Sequence, residues 1–157
     1  MRMLPVCIAI CAIIALPVFA YFLFTKPTLC GTGHTALLRT SKQTLQVSIA
    51  STEDQQRKGL GGCKMLARKT GMYFPFSVTG PQTFWMKGMV IPLDMVWLKG
   101  GRVVGTTPNI PFPSPDVKDA FLPLYHSPQD VDAVLEIPAG TADSYGLTKG
   151  SQVVLVN

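Results

Sequence analysis

Residues 82–99 hold the side chains with the clearest capacity for chemistry. This stretch contains both tryptophans, three of the seven methionines and a single carboxylate, Asp94. Apolar residues alternate through it, which predicts strands rather than a helix. Asp94 stands between Leu93 and Met95, and an ionised carboxylate on an apolar face is costly unless it is paired or hydrogen-bonded. We therefore expect another part of the fold to supply partners for Asp94.

Four side chains make up the predicted ligand-binding site: Trp85, Lys87, Asp94 and His126. Asp94 could act as a general base with Lys87 or His126, and Trp85 could offer an aromatic platform to a sugar or a peptide. The simpler alternatives are a structural carboxylate, core aromatic rings and an exposed loop histidine. No catalytic triad order and no glycine-rich phosphate loop occurs. The catalytic residues therefore stay unassigned, and the sequence favours a protein that is not an enzyme.

The amino-terminal residues 4–24 carry no charged side chain. They are long enough to span a bilayer as a helix, which needs about 20 residues. Two alternatives stay open: a retained membrane anchor, or a signal peptide cleaved near Ala20. We favour the anchor because the apolar run continues through residues 21–24. In either case we expect the following domain to lie outside the cytoplasm, anchored to the membrane or, after cleavage, secreted or periplasmic.

Cysteine and histidine usage bears on compartment and on metal binding. Cys30 and Cys63 are the two cysteines outside the apolar segment. In an oxidising compartment they are a candidate disulfide, and the alternative is two thiols that never meet. No C-x-x-C motif occurs, and His34 and His126 are far apart in the chain. We therefore predict no metal site and no cofactor.

The net charge of +5 is unevenly distributed. Residues 26–102 carry eleven Lys or Arg against three acids, whereas residues 103–157 carry two against six. The basic half could be attracted to anionic lipid head groups or envelope polymers. We favour the alternative, a solvated face balanced by the acidic half. No nucleic-acid-binding motif occurs, so no nucleic acid partner is predicted.

The local patterns predict a mainly β fold. The predicted strands cover residues 44–49, 71–76, 93–99, 102–106, 133–137 and 152–156, and the two short helices cover 52–60 and 141–145. Gly100-Gly101 predicts a hairpin turn between the third and fourth of these strands, and Thr52 with Gln55 predicts the cap of the first helix. Six prolines between residues 108 and 128 exclude a regular helix or a central strand there. We expect a compact antiparallel barrel or sandwich behind an amino-terminal transmembrane or signal helix. Residues 1–25 form the anchor or signal, 26–43 a linker that passes into an early strand, and 44–157 the domain.

Several short motifs in this order resemble a known family. They are Lys-Gly-Leu at 58–60, Gly-Met-Tyr-Phe at 71–74, Phe-Trp-Met-Lys at 84–87, Ile-Pro-Leu-Asp-Met at 91–95 and Val-Leu-Glu-Ile-Pro-Ala-Gly at 134–140. Residues 44–157 are similar to domain of unknown function family 192, uncharacterised bacterial and archaeal proteins that are often exported or membrane-anchored. The resemblance implies a compact β-rich fold and no established activity, cofactor or substrate. The chain departs from the family pattern at Gly61, where the family has Met, and at Cys63.

Three functional hypotheses follow. The first, which we favour, is a non-catalytic envelope domain that binds an envelope polymer or a protein partner in a groove near Trp85 and Asp94. The second is a hydrolase or transferase that acts on an envelope polymer, using Asp94 with Lys87 or His126. The third is a structural module without a small-molecule site, in which Asp94 only stabilises the fold.

Overall fold

The structure, a computed structural model, describes residues 30–156. This part of the chain forms nine strands, one α-helix and one 3₁₀ turn. In chain order they are β1 (Thr35–Arg39), β2 (Thr44–Ile49), α1 (Glu53–Lys58), β3 (Thr70–Gly80), β4 (Thr83–Trp85), β5 (Leu93–Lys99), β6 (Arg102–Ile110), the 3₁₀ turn (Asp119–Phe121), β7 (Leu124–His126), β8 (Val131–Pro138) and β9 (Val154–Val156). No helix within the described range has the length and apolar character needed to cross a membrane. The predicted anchor or signal, residues 1–25, lies outside that range.

Seven strands form one sheet in the order β6-β5-β8-β3-β2-β1-β9, and β4 pairs with β7 in a separate ribbon. Every pairing is antiparallel except the parallel pair β2–β3. The mainly β prediction is confirmed, but of the two predicted architectures, barrel or sandwich, the barrel is wrong because the sheet does not close. The end of the sheet at β6 meets the chain before β9 at one isolated bridge, between Arg102 and Gln152, and the backbone hydrogen bonds around it are confined to residues 101–103 and 150–153.

Helix α1 confirms the first of the two predicted helices. Thr52 accepts a hydrogen bond from the backbone N–H of Gln55, and the Gln55 side chain accepts one from the backbone N–H of Thr52. This reciprocal capping satisfies two N–H groups that the first turn leaves without partners. The second predicted helix, at residues 141–145, is wrong because that segment forms consecutive turns.

Both faces of the seven-stranded sheet are buried at its central strands, such as β5 and β8. On one face, Val96 and Leu98 of β5 pack with the carboxyl-terminal turns; on the other, Met95 and Trp97 pack with the loop after α1 and with the ribbon. Successive strand residues point to opposite faces, so an apolar strand with no polar alternation is expected at the centre of such a sheet. Asp94 therefore shares the first face, and Glu136 shares the second face with Val134.

The folded unit begins before residue 44. Strand β1 lies within the segment predicted as a linker, and it pairs with β2 on one side and β9 on the other. The structure also joins Cys30 to Cys63 in a disulfide, with their Cα atoms 5.9 Å apart. This bond attaches the start of the described chain to the loop that follows α1.

Candidate functional site

Asp94 is buried, with 1% of its surface exposed, and both of its carboxylate oxygens are fully used. Its Oδ1 accepts hydrogen bonds from the backbone N–H groups of Asn109 and Gly140, each at 2.8 Å. Its Oδ2 accepts from the backbone N–H groups of Thr141 and Ala142, each at 2.9 Å. Four backbone donors around one carboxylate satisfy its charge without any cationic side chain.

These four bonds, named here the Asp94 cage, hold three elements together. Asp94 lies near the start of β5, Asn109 near the end of β6, and Gly140 in the turn after β8. Gly140 has a φ of +73°, a conformation that glycine adopts without strain. The carboxylate keeps no open position for a substrate. The geometry gives Asp94 the role of a structural carboxylate.

An open groove lies on the opposite face of the sheet, between α1 and strand β4. Its inner chamber has a volume of about 330 Å³. The chamber is lined by polar and basic residues from α1 and β4, by apolar and aromatic residues, and by one carboxyl group, that of Glu136. The lining consists of Gln56, Arg57, Lys58, Gly59, Leu60, Phe74, Phe76, Gln82, Thr83, Phe84, Trp85, Lys87, Met89 and Glu136.

An outer chamber of about 520 Å³ adjoins the inner one. The two chambers share four lining residues, and three of the four are basic: Arg57, Lys58, Trp85 and Lys87. Asp54 is the acidic residue that lines the outer chamber. A positively charged boundary with one tryptophan therefore separates the two halves of the groove.

Local backbone contacts explain why basic residues stand at this boundary. The side-chain amide of Gln56 donates hydrogen bonds to the carbonyl oxygens of Ala50, at 3.2 Å, and Pro75, at 2.9 Å. These bonds fix α1 over the end of the sheet. Arg57 and Lys58 then occupy the last turn of α1, where positive charge also complements the helix dipole.

The loop after α1 closes the side of the groove. The N–H of Gly62 donates to the carbonyl oxygen of Gly88 at 2.8 Å. A Cβ atom at Gly61 would lie 2.9 Å from the carbonyl oxygen of Lys58. Only glycine fits this approach without a backbone shift. The departure from the family pattern at position 61 thus falls in the wall of the groove.

Aromatic packing holds strand β4 against the sheet. The ring of Phe84 makes edge-to-face contacts with Phe74, Phe76 and Trp97, with ring centres 5.2, 6.4 and 5.9 Å apart. Such pairs stabilise a structure by about 0.5–1.5 kcal/mol each beyond the burial of their area. The next residue, Trp85, must then point away from this cluster because successive strand residues alternate. Its side chain is 41% exposed and lines the groove.

Lys87 is held at the edge of the groove by two contacts. Its Nζ lies 5.3 Å from the ring centre of Trp85, a cation–π arrangement, and it forms a salt bridge with Asp119. Within residues 30–156 this is the only salt bridge. Arg57 and Lys58 consequently have no carboxylate partner in the described part of the chain.

Glu136 is the unusual residue of the inner chamber. It is 5% exposed, and its Oε2 atom is buried with no hydrogen-bond partner. It stands on β8 with Met72 of β3 opposite on one side and Met95 of β5 opposite on the other. Burial raises the pKa of the Glu136 carboxyl group to about 8. At pH 7 it is therefore mainly a neutral acid whose O–H can donate a hydrogen bond.

The structure brings together only part of the predicted site. Trp85 and Lys87 line the groove, whereas Asp94 lies on the other face of the sheet. His126 is exposed on β7, where its Nδ1 lies 3.0 Å from the hydroxyl oxygen of Thr83, and it does not line either chamber. Among the described residues, no group of three or more His, Cys, Asp or Glu side chains is placed to hold a metal ion.

The sequence prediction missed Glu136 and Arg57 as groove residues. A signal for Glu136 was available, since it is the one charged residue inside the apolar run Ala133 to Ile137. Arg57 and Lys58 belong to the basic half of the chain, whose pattern favours a solvated face. Their place at the groove depends on how Gln56 docks the helix, which no local pattern reveals.

The model of domain of unknown function family 192 (DUF192, described as uncharacterized ACR) matches residues 36–155. The chain belongs to the DUF192 family. The match confirms the resemblance and begins in strand β1, within the segment predicted as a linker. No curated protein shows significant similarity to the chain.

Two solved structures resemble this DUF192 domain. One is from Sinorhizobium meliloti and is titled as a candidate transcription regulator: it is 26% identical, with a TM-score of 0.71, over 79% of this chain and 95% of that one. The other, from Novosphingobium aromaticivorans, is a protein of unknown function: it is 24% identical, with a TM-score of 0.65, over 81% of this chain and 94% of that one. The second likeness shows the fold alone.

Proposed function

We propose that this DUF192 protein is a non-catalytic binding module whose ligand occupies the groove beside Trp85. The observation that carries the proposal is Glu136, a buried acid on the wall of an open chamber with an oxygen that no protein group satisfies. An unsatisfied buried polar group costs about 1–3 kcal/mol. A fold retains such a group at a wall of a chamber more readily when a ligand completes its hydrogen bonds.

The dimensions and chemistry of the inner chamber support the same proposal. Small-molecule sites have volumes of about 300–1,000 Å³, with apolar walls and a few polar groups. The inner chamber, at about 330 Å³, combines aromatic walls with one carboxyl group and basic residues. Because Glu136 is mainly protonated at pH 7, it offers a donor to an acceptor atom of the ligand. These features support a binding groove near Trp85, as in the leading hypothesis, and we propose Glu136 rather than Asp94 as its acid.

The setting in which the groove works belongs to the same proposal. We place the domain outside the cytoplasm, held at the membrane by residues 4–24, where an envelope polymer or a protein partner is available. Two features support this setting: the uncharged length of residues 4–24 and the Cys30–Cys63 disulfide, a bond typical of oxidising compartments. Protease accessibility of the domain in intact cells, compared with lysed cells, tests it.

Trp85 offers a direct test of the groove. It is 41% exposed, whereas Trp97 is 1% exposed, so a ligand in the groove should perturb the fluorescence of Trp85 alone. We expect hits from a fragment library to change this emission, and Trp85→Phe to abolish the change. In a nuclear magnetic resonance spectrum the shifted amides should cluster around residues 56–60 and 82–87. If fragments bind elsewhere or nowhere, the proposal fails.

A general acid is the second candidate function, and the raised pKa of Glu136 favours it. A carboxylic acid that is protonated at pH 7 can give a proton to a leaving group. The protein would then be an envelope-polymer hydrolase or transferase that uses Glu136 in place of Asp94. Such an enzyme should release product from a polymer with a rate that disappears in Glu136→Gln. Binding of the same polymer without turnover would exclude it.

A further inference from the structure

We propose that the ligand of the groove is an organic oxyanion: a ring of about sugar size that carries a carboxylate or phosphate group. The ring occupies the inner chamber, and the oxyanion binds Arg57, Lys58 and Lys87 at the boundary between the chambers. This inference rests on the proposed function, because it names the chemistry of the ligand for that same groove.

The charge distribution is the first step. Arg57, Lys58 and Lys87 line both chambers, so any ligand that extends from one into the other passes all three. In residues 30–156 only Lys87 has a carboxylate partner, Asp119. Arg57 and Lys58 keep their positive charges available at the boundary. Charge-assisted hydrogen bonds from such groups to carboxylate or phosphate oxygens are about twice as strong as neutral ones.

The interior of the chamber is the second step. Behind the basic boundary, the apolar and aromatic residues Leu60, Phe74, Phe84 and Met89 line the chamber beside the polar residues Gln56, Gln82 and Thr83. A bare inorganic anion would lose hydration against the apolar part of these walls, where an isolated charge is strongly disfavoured. A ring with an apolar face suits these walls. The chamber therefore favours an anionic group that is attached to an organic ring.

Glu136 is the third step. It adds one hydrogen-bond donor to the wall of the chamber while it is protonated, and a ring that carries hydroxyl or carbonyl oxygens can accept that bond. In its ionised form Glu136 would instead suit an amine, but an amine would have to pass three basic side chains. The basic boundary and Glu136 together therefore favour an anionic ligand with oxygen acceptors on its ring.

Matched ligand pairs test this inference. Glucuronic acid and its methyl ester share one ring and differ by the charge, and glucose 1-phosphate compared with glucose supplies the phosphate version. With the full-length protein in detergent and Trp85 fluorescence as the readout, we expect each acid to bind at least 10-fold more tightly than its neutral partner. Arg57→Gln should remove most of that difference. Lys99→Gln, which removes an exposed positive charge from the far hairpin, should leave it intact.

The outcomes separate the two proposals. If glucuronic acid is the tighter-binding acid, the oxyanion comes from acidic sugars. If glucose 1-phosphate is the tighter-binding acid, it comes from sugar phosphates. Equal binding of acid and neutral partner in the groove overturns the oxyanion inference and leaves the binding proposal standing. Preferential binding of glucosamine also overturns it. If none of these probes binds but unrelated fragments do occupy the groove, the oxyanion inference is rejected and the binding proposal stands.

Discussion

Asp94 and Glu136 are two buried carboxyl groups on neighbouring strands of one sheet, and their surroundings are opposite. Asp94 pairs in register with Ile137, and Glu136 pairs with Met95, so the two acids lie one register position apart. Because they point to opposite faces, Asp94 accepts hydrogen bonds from four backbone N–H groups, whereas Glu136 lines the inner chamber and its Oε2 atom has no hydrogen-bond partner.

The comparison shows that burial of an acid does not by itself mark a functional site. What separates the two positions is the number of donors that the fold supplies. The Asp94 cage gives each oxygen of the carboxyl group two backbone donors, so the group needs no further partner. Burial favours the neutral form of Glu136, and its Oε2 atom has no hydrogen-bond partner unless a ligand supplies one. Each of the following predictions tests one side of that contrast.

The largest effect is expected from Asp94→Ala. This change leaves four backbone N–H groups without their acceptor, each at a cost of about 1–3 kcal/mol, partly relieved by local rearrangement. We expect the free energy of unfolding to fall by about 4 kcal/mol or more, measured by urea denaturation. The matched control is Asp132→Ala, since Asp132 accepts one exposed backbone bond, from Gly100, and its loss should cost less than about 1 kcal/mol. Similar losses of stability in both variants would contradict the structural role of the Asp94 cage.

The disulfide should stabilise the groove side more than the cage side. Replacing both Cys30 and Cys63 by Ser opens a loop with a sequence separation of 33 residues, which costs about 3–4 kcal/mol in the chain-entropy account. Hydrogen exchange should then accelerate at residues 61–63 in the wall of the groove. The amides of residues 140–142 in the Asp94 cage should change far less. Uniform acceleration across both regions would contradict this separation.

Glu136 should make stability depend on pH. Its pKa is raised in the folded state, from 4.5 to about 8, so its contribution to stability is full below pH 4.5 and is lost as the pH rises to about 8. Between pH 4.5 and pH 7 this loss amounts to about 3 kcal/mol. Glu136→Gln cannot ionise, so the wild-type and variant stability curves should converge at low pH and separate above it. Parallel curves would show that Glu136 titrates normally.

The smallest effect on stability is expected from Lys87→Met. Its salt bridge with Asp119 is exposed, with side-chain exposures of 48% and 59%, and such pairs contribute about 0–1 kcal/mol. The melting temperature should therefore stay within a few degrees of wild type, while ligand affinity in the groove falls. Asp119→Asn, which removes the salt-bridge partner of Lys87, should not weaken ligand binding. A large loss of stability in Lys87→Met would give this residue a structural role instead.

Much of the fold could be predicted from local patterns. The alternation in residues 44–49 and the hairpin at Gly100 and Gly101 correctly located strands β2, β5 and β6, because these signals depend only on neighbouring residues. The capping signal at Thr52 correctly located α1. The parallel pairing of β2 with β3 was not predicted, since it arises from the path that the chain takes through α1 and the following loop.

The site was predicted only in part, for a physical reason. The sequence showed that Asp94 needed partners, but those partners are backbone N–H groups, which every residue carries and no sequence pattern marks. It also showed Trp85 and Lys87 as unusual side chains beside each other. It did not show that a second acid, 42 positions later, would lie across the same sheet without partners.

The disulfide also determines the route by which mechanical load enters the domain. A pull on the chain at Cys30 passes through sulfur to Cys63 and bypasses strands β1 and β2 and helix α1, which lie between the two cysteines. Cys63 follows Gly62, whose N–H is bonded to the carbonyl oxygen of Gly88 beside the groove. Tension on any tether that precedes Cys30 would therefore reach the wall of the groove first. With the bridge reduced, the same tension would instead act first on strand β1.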